Sequence, residues 1–134
     1  MIGVDTNVLV RVALGDDPVQ SASATSLLKK YVQARKLFVA SYAILEMAWV
    51  LKGKGRTRHQ ICEAIYNLLD SPGVMVGQRD VILNAVEKYR TGKADFGDYL
   101  ILSEGEASGA KRLASFDRVL CENTPNCSSP EEFF

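Results

Sequence analysis

Ile2-Gly3-Val4-Asp5-Thr6-Asn7-Val8-Leu9-Val10-Arg11-Val12-Ala13 is the stretch whose reading decides the fold. Ile2-Gly3-Val4 is a short apolar run of strand type, while Val8, Leu9, Val12 and Ala13 recur at helical spacing. A strand therefore passes directly into a helix, and Asp5-Thr6-Asn7 forms the junction.

The alternation continues downstream. Asp16-Asp17-Pro18 supplies a cap residue followed by proline at the first helical position, and Ala24, Leu27, Leu28 and Tyr31 then repeat on one face of a helix ending near Arg35 and Lys36. Leu37 to Ala40 reads as a buried strand, with Ser41 placed to cap a helix carrying Ala43, Ile44, Met47, Val50 and Leu51. Gly53 and Gly55 break that helix, and Ile61, Ile65, Leu68 and Leu69 mark the next, which Ser71-Pro72-Gly73 stops. Val74-Met75-Val76 is the third strand, and two more helical stripes run through Ile82 to Tyr89 and Phe96 to Ala107. Arg112 to Phe116 is the fourth strand and meets Asp117.

Apolar strands alternating with helices require a sheet covered on both faces. The expected architecture is a three-layer α/β/α fold around a central, mainly parallel sheet of four to five strands. A chain of 134 residues, 47% of them hydrophobic, suffices for one core, so a single domain over residues 1–134 is expected.

Sixteen acidic residues balance sixteen basic ones, so net charge announces neither a polyanion nor a membrane surface as partner. Cys62, Cys121 and Cys127 show no CxxC spacing, and the single histidine, His59, leaves little material for a zinc site or a nucleophilic triad. Asp5 interrupts the opening apolar run, which lacks the flanks of an export signal, and no stretch reaches the roughly 20 apolar residues of a membrane span. A cytoplasmic protein with reduced thiols is expected.

Ligands of an open parallel sheet collect at the carboxyl ends of its strands. Asp5 and Asp117 each follow a strand, Glu46 begins the second turn of the helix after the second strand, and Asp95 and Asp98 lie three apart at a helix start. Five carboxylates from four places in the chain thus gather at one edge. Such a group persists only when protons or cations neutralise it, and carboxylates with water suit Mg²⁺ or Mn²⁺. The chemistry that fits is metal-assisted phosphodiester hydrolysis, in which a pair of ions ~3.5–4 Å apart stabilises attacking and leaving oxygens.

Each acid also has an ordinary structural reading. Asp95 and Asp117 stand where helix caps stand, and Asp5 or Glu46 would also serve in a salt bridge to Arg11 or Arg112. Lys52, Lys54, Arg56 and Arg58 make a basic loop that suits RNA phosphates or simply a solvated connection. Tyr42, Trp49 and Tyr99 suit base stacking or core packing, and Tyr99 narrows any groove beside Asp98.

Met1 to Arg11 as a block, then Glu46, then Ala94-Asp95-Phe96-Gly97-Asp98-Tyr99-Leu100-Ile101, then Ser115-Phe116-Asp117, resemble the PIN-domain family in order and spacing. The opening through Pro18 is similar to one branch of the VapC-type toxin ribonucleases of type II toxin–antitoxin systems. The resemblance implies a Mg²⁺- or Mn²⁺-dependent endoribonuclease with Asp5, Glu46, Asp98 and Asp117 as catalytic acids and Asp95 as an accessory carboxylate. It implies Asp5, Asp98 and Asp117 as metal ligands, with Asn7 and Ser115 holding the acids by hydrogen bonds. It further implies an RNA substrate, a homodimer, and a VapB-like antitoxin whose tail fills the acidic groove. Gly97, Tyr99 and Ser115 depart mildly from the family pattern and leave the acids intact.

Three other readings compete. A phosphatase of the haloacid-dehalogenase type needs a second aspartate two residues after the first, where this chain has Asn7. A non-catalytic α/β metal-binding module of receiver type needs an aspartate after the third strand, where Gly77-Gln78-Arg79-Asp80 gives no clean match. A non-toxin PIN domain acting in RNA processing shares every residue named above.

Overall fold

The computed structural model describes residues 1–34 and 37–134. Chain contacts divide it into two compact units, Met1–Arg79 and Asp80–Phe134.

The first unit is built on strands β1 (Ile2–Val4), β2 (Leu37–Val39) and β3 (Val74–Val76), all parallel, in the order β1-β2-β3. The register aligns Val4 with Val39 and Val39 with Val76, so the three strands end level. Leu37 and Val39 on the central strand are fully buried, as expected for a parallel sheet covered on both faces. Helices α1 (Thr6–Leu14) and α3 (Ser41–Gly53) leave the carboxyl ends of β1 and β2 with one residue intervening in each case. Helices α2 (Pro18–Gln33) and α4 (Arg58–Asp70) complete the unit.

Local chemistry explains where these helices start and stop. Gly15 ends α1 in the left-handed conformation, φ 62°, and its N–H donates to Arg11 O at 3.1 Å. Asp17 Oδ1 accepts from the N–H groups of Val19 and Gln20 at 3.2 and 3.0 Å, the cap expected before Pro18. The expected end of α2 near Arg35 and Lys36 lies outside the described residues. Thr57 and Gln60 form a reciprocal capping box at the start of α4. Ser41 is not the cap of α3 but its first residue. The cap position falls on extended Ala40, because β2 runs through Val39 and leaves only that residue between strand and helix.

In the second unit α5 (Arg79–Thr91) buries Val81, Ile82, Ala85, Val86 and Tyr89, while α6 (Phe96–Ala107) buries Phe96, Tyr99, Leu100 and Leu102. Tyr89 meets Phe96 edge-on at 5.8 Å and tilts toward Tyr99 at 6.5 Å between ring centroids. A parallel pair follows, β4 (Leu113–Ala114) with β5 (Cys127–Ser128), joined through α7 (Arg118–Glu122). A short 3₁₀ turn, Pro130–Phe133, ends the chain.

The α/β class and the all-parallel pairing agree with the pattern in the sequence. Hydrogen bonding divides the five described strands into a sheet of three and a sheet of two, where one continuous sheet of four to five was expected. The fourth strand is shorter than the expected 112–116 because only Leu113 and Ala114 find partners on a two-residue β5. Among the described residues no helix is long and apolar enough to cross a membrane.

Candidate active site

The level ends of β1 and β2 bring two of the expected acids to one sheet edge. Asp5 follows β1 and caps α1, its Oδ1 accepting from Val8 N–H at 3.3 Å. That bond uses one of roughly four lone-pair sites on the carboxylate, and the exposed side chain keeps the rest for solvent or a ligand. Glu46 lies half-buried in the second turn of α3, and its Oε1 accepts from the Thr6 hydroxyl at 2.9 Å. Thr6 is the first residue of α1, so a bond across forty positions ties the two strand-to-helix junctions together.

Both arginines named in the salt-bridge alternative are engaged elsewhere among the described residues. Arg11 donates to Asp16 at 2.7 Å, a contact that holds the Asp16 carboxyl below its ordinary range. Arg112 instead lies over the Phe133 ring, 4.0 Å from its centroid.

The second unit fixes the remaining three. Asp95 is the N-cap of α6, and the Asp98 Oδ2 accepts from Asp95 N–H at 3.2 Å, holding that carboxylate against the first turn. The loop before it is secured by Tyr99, whose hydroxyl accepts from the N–H groups of Lys93 and Ala94 at 3.1 and 3.3 Å. Tyr99 is only 3% exposed, so it does not narrow an open groove; it fastens residues 93–94 from beneath. Gly92 makes room for it, since a Cβ there would stand 1.9 Å from the Tyr99 hydroxyl oxygen.

Asp117 follows β4 across Ser115 and Phe116. The Ser115 hydroxyl accepts from Asp117 N–H at 3.0 Å, Ser115 N–H donates to Ser128 O at 3.0 Å, and the Asp117 Oδ1 accepts from Leu120 N–H at 3.1 Å. The Ser115 bond goes to the backbone of Asp117 and not to its carboxylate, as in an ordinary turn. The task of holding an acid, expected of Asn7, falls to its neighbour Thr6. An open cavity of about 570 Å³ adjoins this turn, lined by Ser115, Asp117 and Arg118 and by Glu131 and Glu132 of the terminal turn.

All five acids therefore sit in the first two turns of a helix, where the positive end of the backbone dipole meets them. Asp5 pairs in location with Glu46 and Asp95 with Asp98, and in neither unit do three His, Cys, Asp or Glu side chains among the described residues form a group able to hold a metal. The available donors are hard oxygens. His59 stands on the exposed side of α4, 3.9 Å from Glu63, and the Cys127 thiol is pushed up to about 12, first by burial and then by its contact with Cys121. At neutral pH Cys127 is a protonated thiol, and the oxygen donors of the carboxylates suit hard divalent cations.

Thr6, Gly92 and the true role of Tyr99 escaped the sequence. Thr6 had a faint signal in its place beside Asp5, but nothing in the order of residues links it to position 46. A glycine two residues before a buried loop signals only that a side chain is excluded.

No curated protein and no solved structure gives a significant match to the chain. The profile of the PIN domain matches residues 2–124, taking in all five acids in their order, and the chain belongs to the PIN domain family, whose members are generally metal-dependent nucleases.

Proposed function

We propose that the chain is an endoribonuclease that hydrolyses RNA phosphodiester bonds with Mg²⁺ or Mn²⁺, and that it is the toxin of a VapC-type pair. The observation that carries this reading is the common placement of Asp5, Glu46, Asp95, Asp98 and Asp117 within the first two turns of their helices, four of them held there by hydrogen bonds. The span of the family match across both units supports a single domain over residues 1–134.

In this reading Asp5, Asp98 and Asp117 hold the ion, with Asp95 accessory. When bound, such an ion would supply Lewis-acid polarisation of the phosphodiester and activation of the attacking water. Glu46, with Oε1 committed to Thr6, presents its second oxygen to take the proton from the attacking water, and Asp117 orients that water. The helix-end positions of the aspartates keep them fixed as charge develops on the phosphate. The toxin role, a homodimer and a VapB-like antitoxin are supported by the likeness of residues 1–18 to that branch of the family.

Purified protein incubated with total cellular RNA and Mg²⁺ or Mn²⁺ is expected to give new ends at a small number of sites, none of them formed with a chelator. RNA that stays intact under both metals, from folded protein free of antitoxin, contradicts the nuclease reading. Growth arrest on expression, relieved by the neighbouring gene product, separates a toxin from an RNA-processing enzyme.

A further inference from the structure

Helix α3 is apolar on more than one side, and the structure separates the two. Ala43, Ile44, Met47, Ala48 and Leu51 are buried. Tyr42 and Trp49 are 63% and 54% exposed, an unusual state for large aromatics in a chain with a complete buried face on the same helix. At 100° per residue, positions 42, 46 and 49 fall on one stripe, so Glu46 stands between two exposed rings, one turn from each.

The same helix ends in the basic loop. Residues 47–62 contain no acid and include Lys52, Lys54, Arg56 and Arg58. The loop is an ordered turn: Gly55 takes φ 82°, and the N–H groups of Lys54, Gly55 and Arg56 donate to Val50, Lys52 and Leu51 carbonyls at 3.0 Å each. Cations on this ordered turn, at the end of the helix that bears the exposed rings, match a flexible polyanion that carries planar groups. An acid-free run of four cations next to two exposed rings offers such a polyanion both charge and stacking contacts.

Resting on the nuclease reading, we propose that the exposed stripe of α3 is the substrate platform: Tyr42 and Trp49 stack on unpaired bases on either side of Glu46, the basic turn after Lys52 holds the phosphates, and the substrate class is single-stranded RNA. The rings lie about 10.5 Å apart along the helix axis by the 1.5 Å rise per residue, a separation that leaves the phosphodiester between two stacked bases facing the acid. Base stacking on aromatics tolerates any sequence and requires unpaired bases, so duplex RNA is excluded by its own pairing.

Trp49 is the only tryptophan in the chain, so its fluorescence reports the platform directly. With chelator present to prevent cleavage, a single-stranded oligouridylate is expected to quench Trp49 saturably, and a blunt RNA duplex to leave it nearly unchanged. By anisotropy of labelled RNA, Trp49→Ala is expected to weaken binding by roughly 5- to 100-fold, and Trp49→Phe to retain most of it. Lys54→Ala is expected to lower the salt slope by about 0.7. RNA that binds without quenching Trp49 overturns the platform, and cleavage that continues in that case leaves the nuclease reading standing. Quenching without cleavage when Mg²⁺ and Mn²⁺ are restored supports the platform and rejects the nuclease. A change in Trp49 emission with protein concentration alone, tracking a doubling of mass, assigns the stripe to a second copy of the chain and overturns the proposal.

Discussion

Asp98→Asn is expected to reduce metal-dependent RNA cleavage by roughly 10²–10⁴-fold, the range that follows from losing one charged group of a metal-assisted proton-transfer site. The fold should survive the change. The Asp98 Oδ2 accepts from Asp95 N–H at 3.2 Å, and an asparagine carbonyl oxygen accepts the same bond. What disappears is the negative charge in the first turn of α6, whose interaction with the helix end is worth about 0.3–1 kcal/mol. Initial rates beside a melting curve separate the two effects. Asp95→Asn provides the contrast, because asparagine caps a helix as well as aspartate and the proposal gives Asp95 only an accessory part. A rate for Asp98→Asn within a few-fold of wild type, from folded protein, removes Asp98 from the metal site.

Gly92→Ala is expected to be the most destabilising single methyl that the chain can receive near the site. The added Cβ would stand 1.9 Å from the Tyr99 hydroxyl oxygen, 2.5 Å from Cζ and 2.8 Å from the Lys88 carbonyl oxygen. Moving the ring is costly because Tyr99 is buried and its hydroxyl serves the N–H groups of Lys93 and Ala94. Moving the backbone breaks the Gly92 N–H bond to Lys88 O at 2.9 Å. Overpacking of this kind costs about 1–3 kcal/mol, and a buried donor left unsatisfied about as much again. A loss of roughly 2–4 kcal/mol, or about 8–15 °C in Tm, follows. The same substitution in a Tyr99→Phe background should cost less, since the closest clash is with the hydroxyl that phenylalanine lacks. Equal costs in the two backgrounds would place the strain on the Lys88 carbonyl instead.

Much of this fold was legible because its elements announce themselves locally. The passage from Ile2-Gly3-Val4 through Asp5 into α1 follows from a run of apolar residues giving way to helical spacing, and the Asp17 cap before Pro18 follows from the conformations those residues prefer. Helix α7 and strand β5, five and two residues long, are too short for any period to show. The pairing of β4 with β5 depends on Leu113 N–H reaching Asn126 O, a contact between distant residues with no mark in either segment.

The candidate acids were legible from their positions after strands and at helix starts, while their supports were not. Thr6 reaches Glu46 only because β1 and β2 lie side by side in a given register. Glu46 is flanked by apolar Leu45 and Met47, yet its helix buries one face and shows Tyr42 and Trp49 on another, a distinction that composition does not carry.

The most direct test of the proposed metal ligands is titration of the isotope-labelled chain with Mn²⁺ under amide NMR. The amides that follow Asp5, Asp98 and Asp117 are expected to broaden together at the same substoichiometric Mn²⁺, and Asp5→Asn is expected to abolish the broadening at all three. Broadening confined to one of these segments, or its persistence near Asp98 and Asp117 after Asp5→Asn, would contradict a shared metal site.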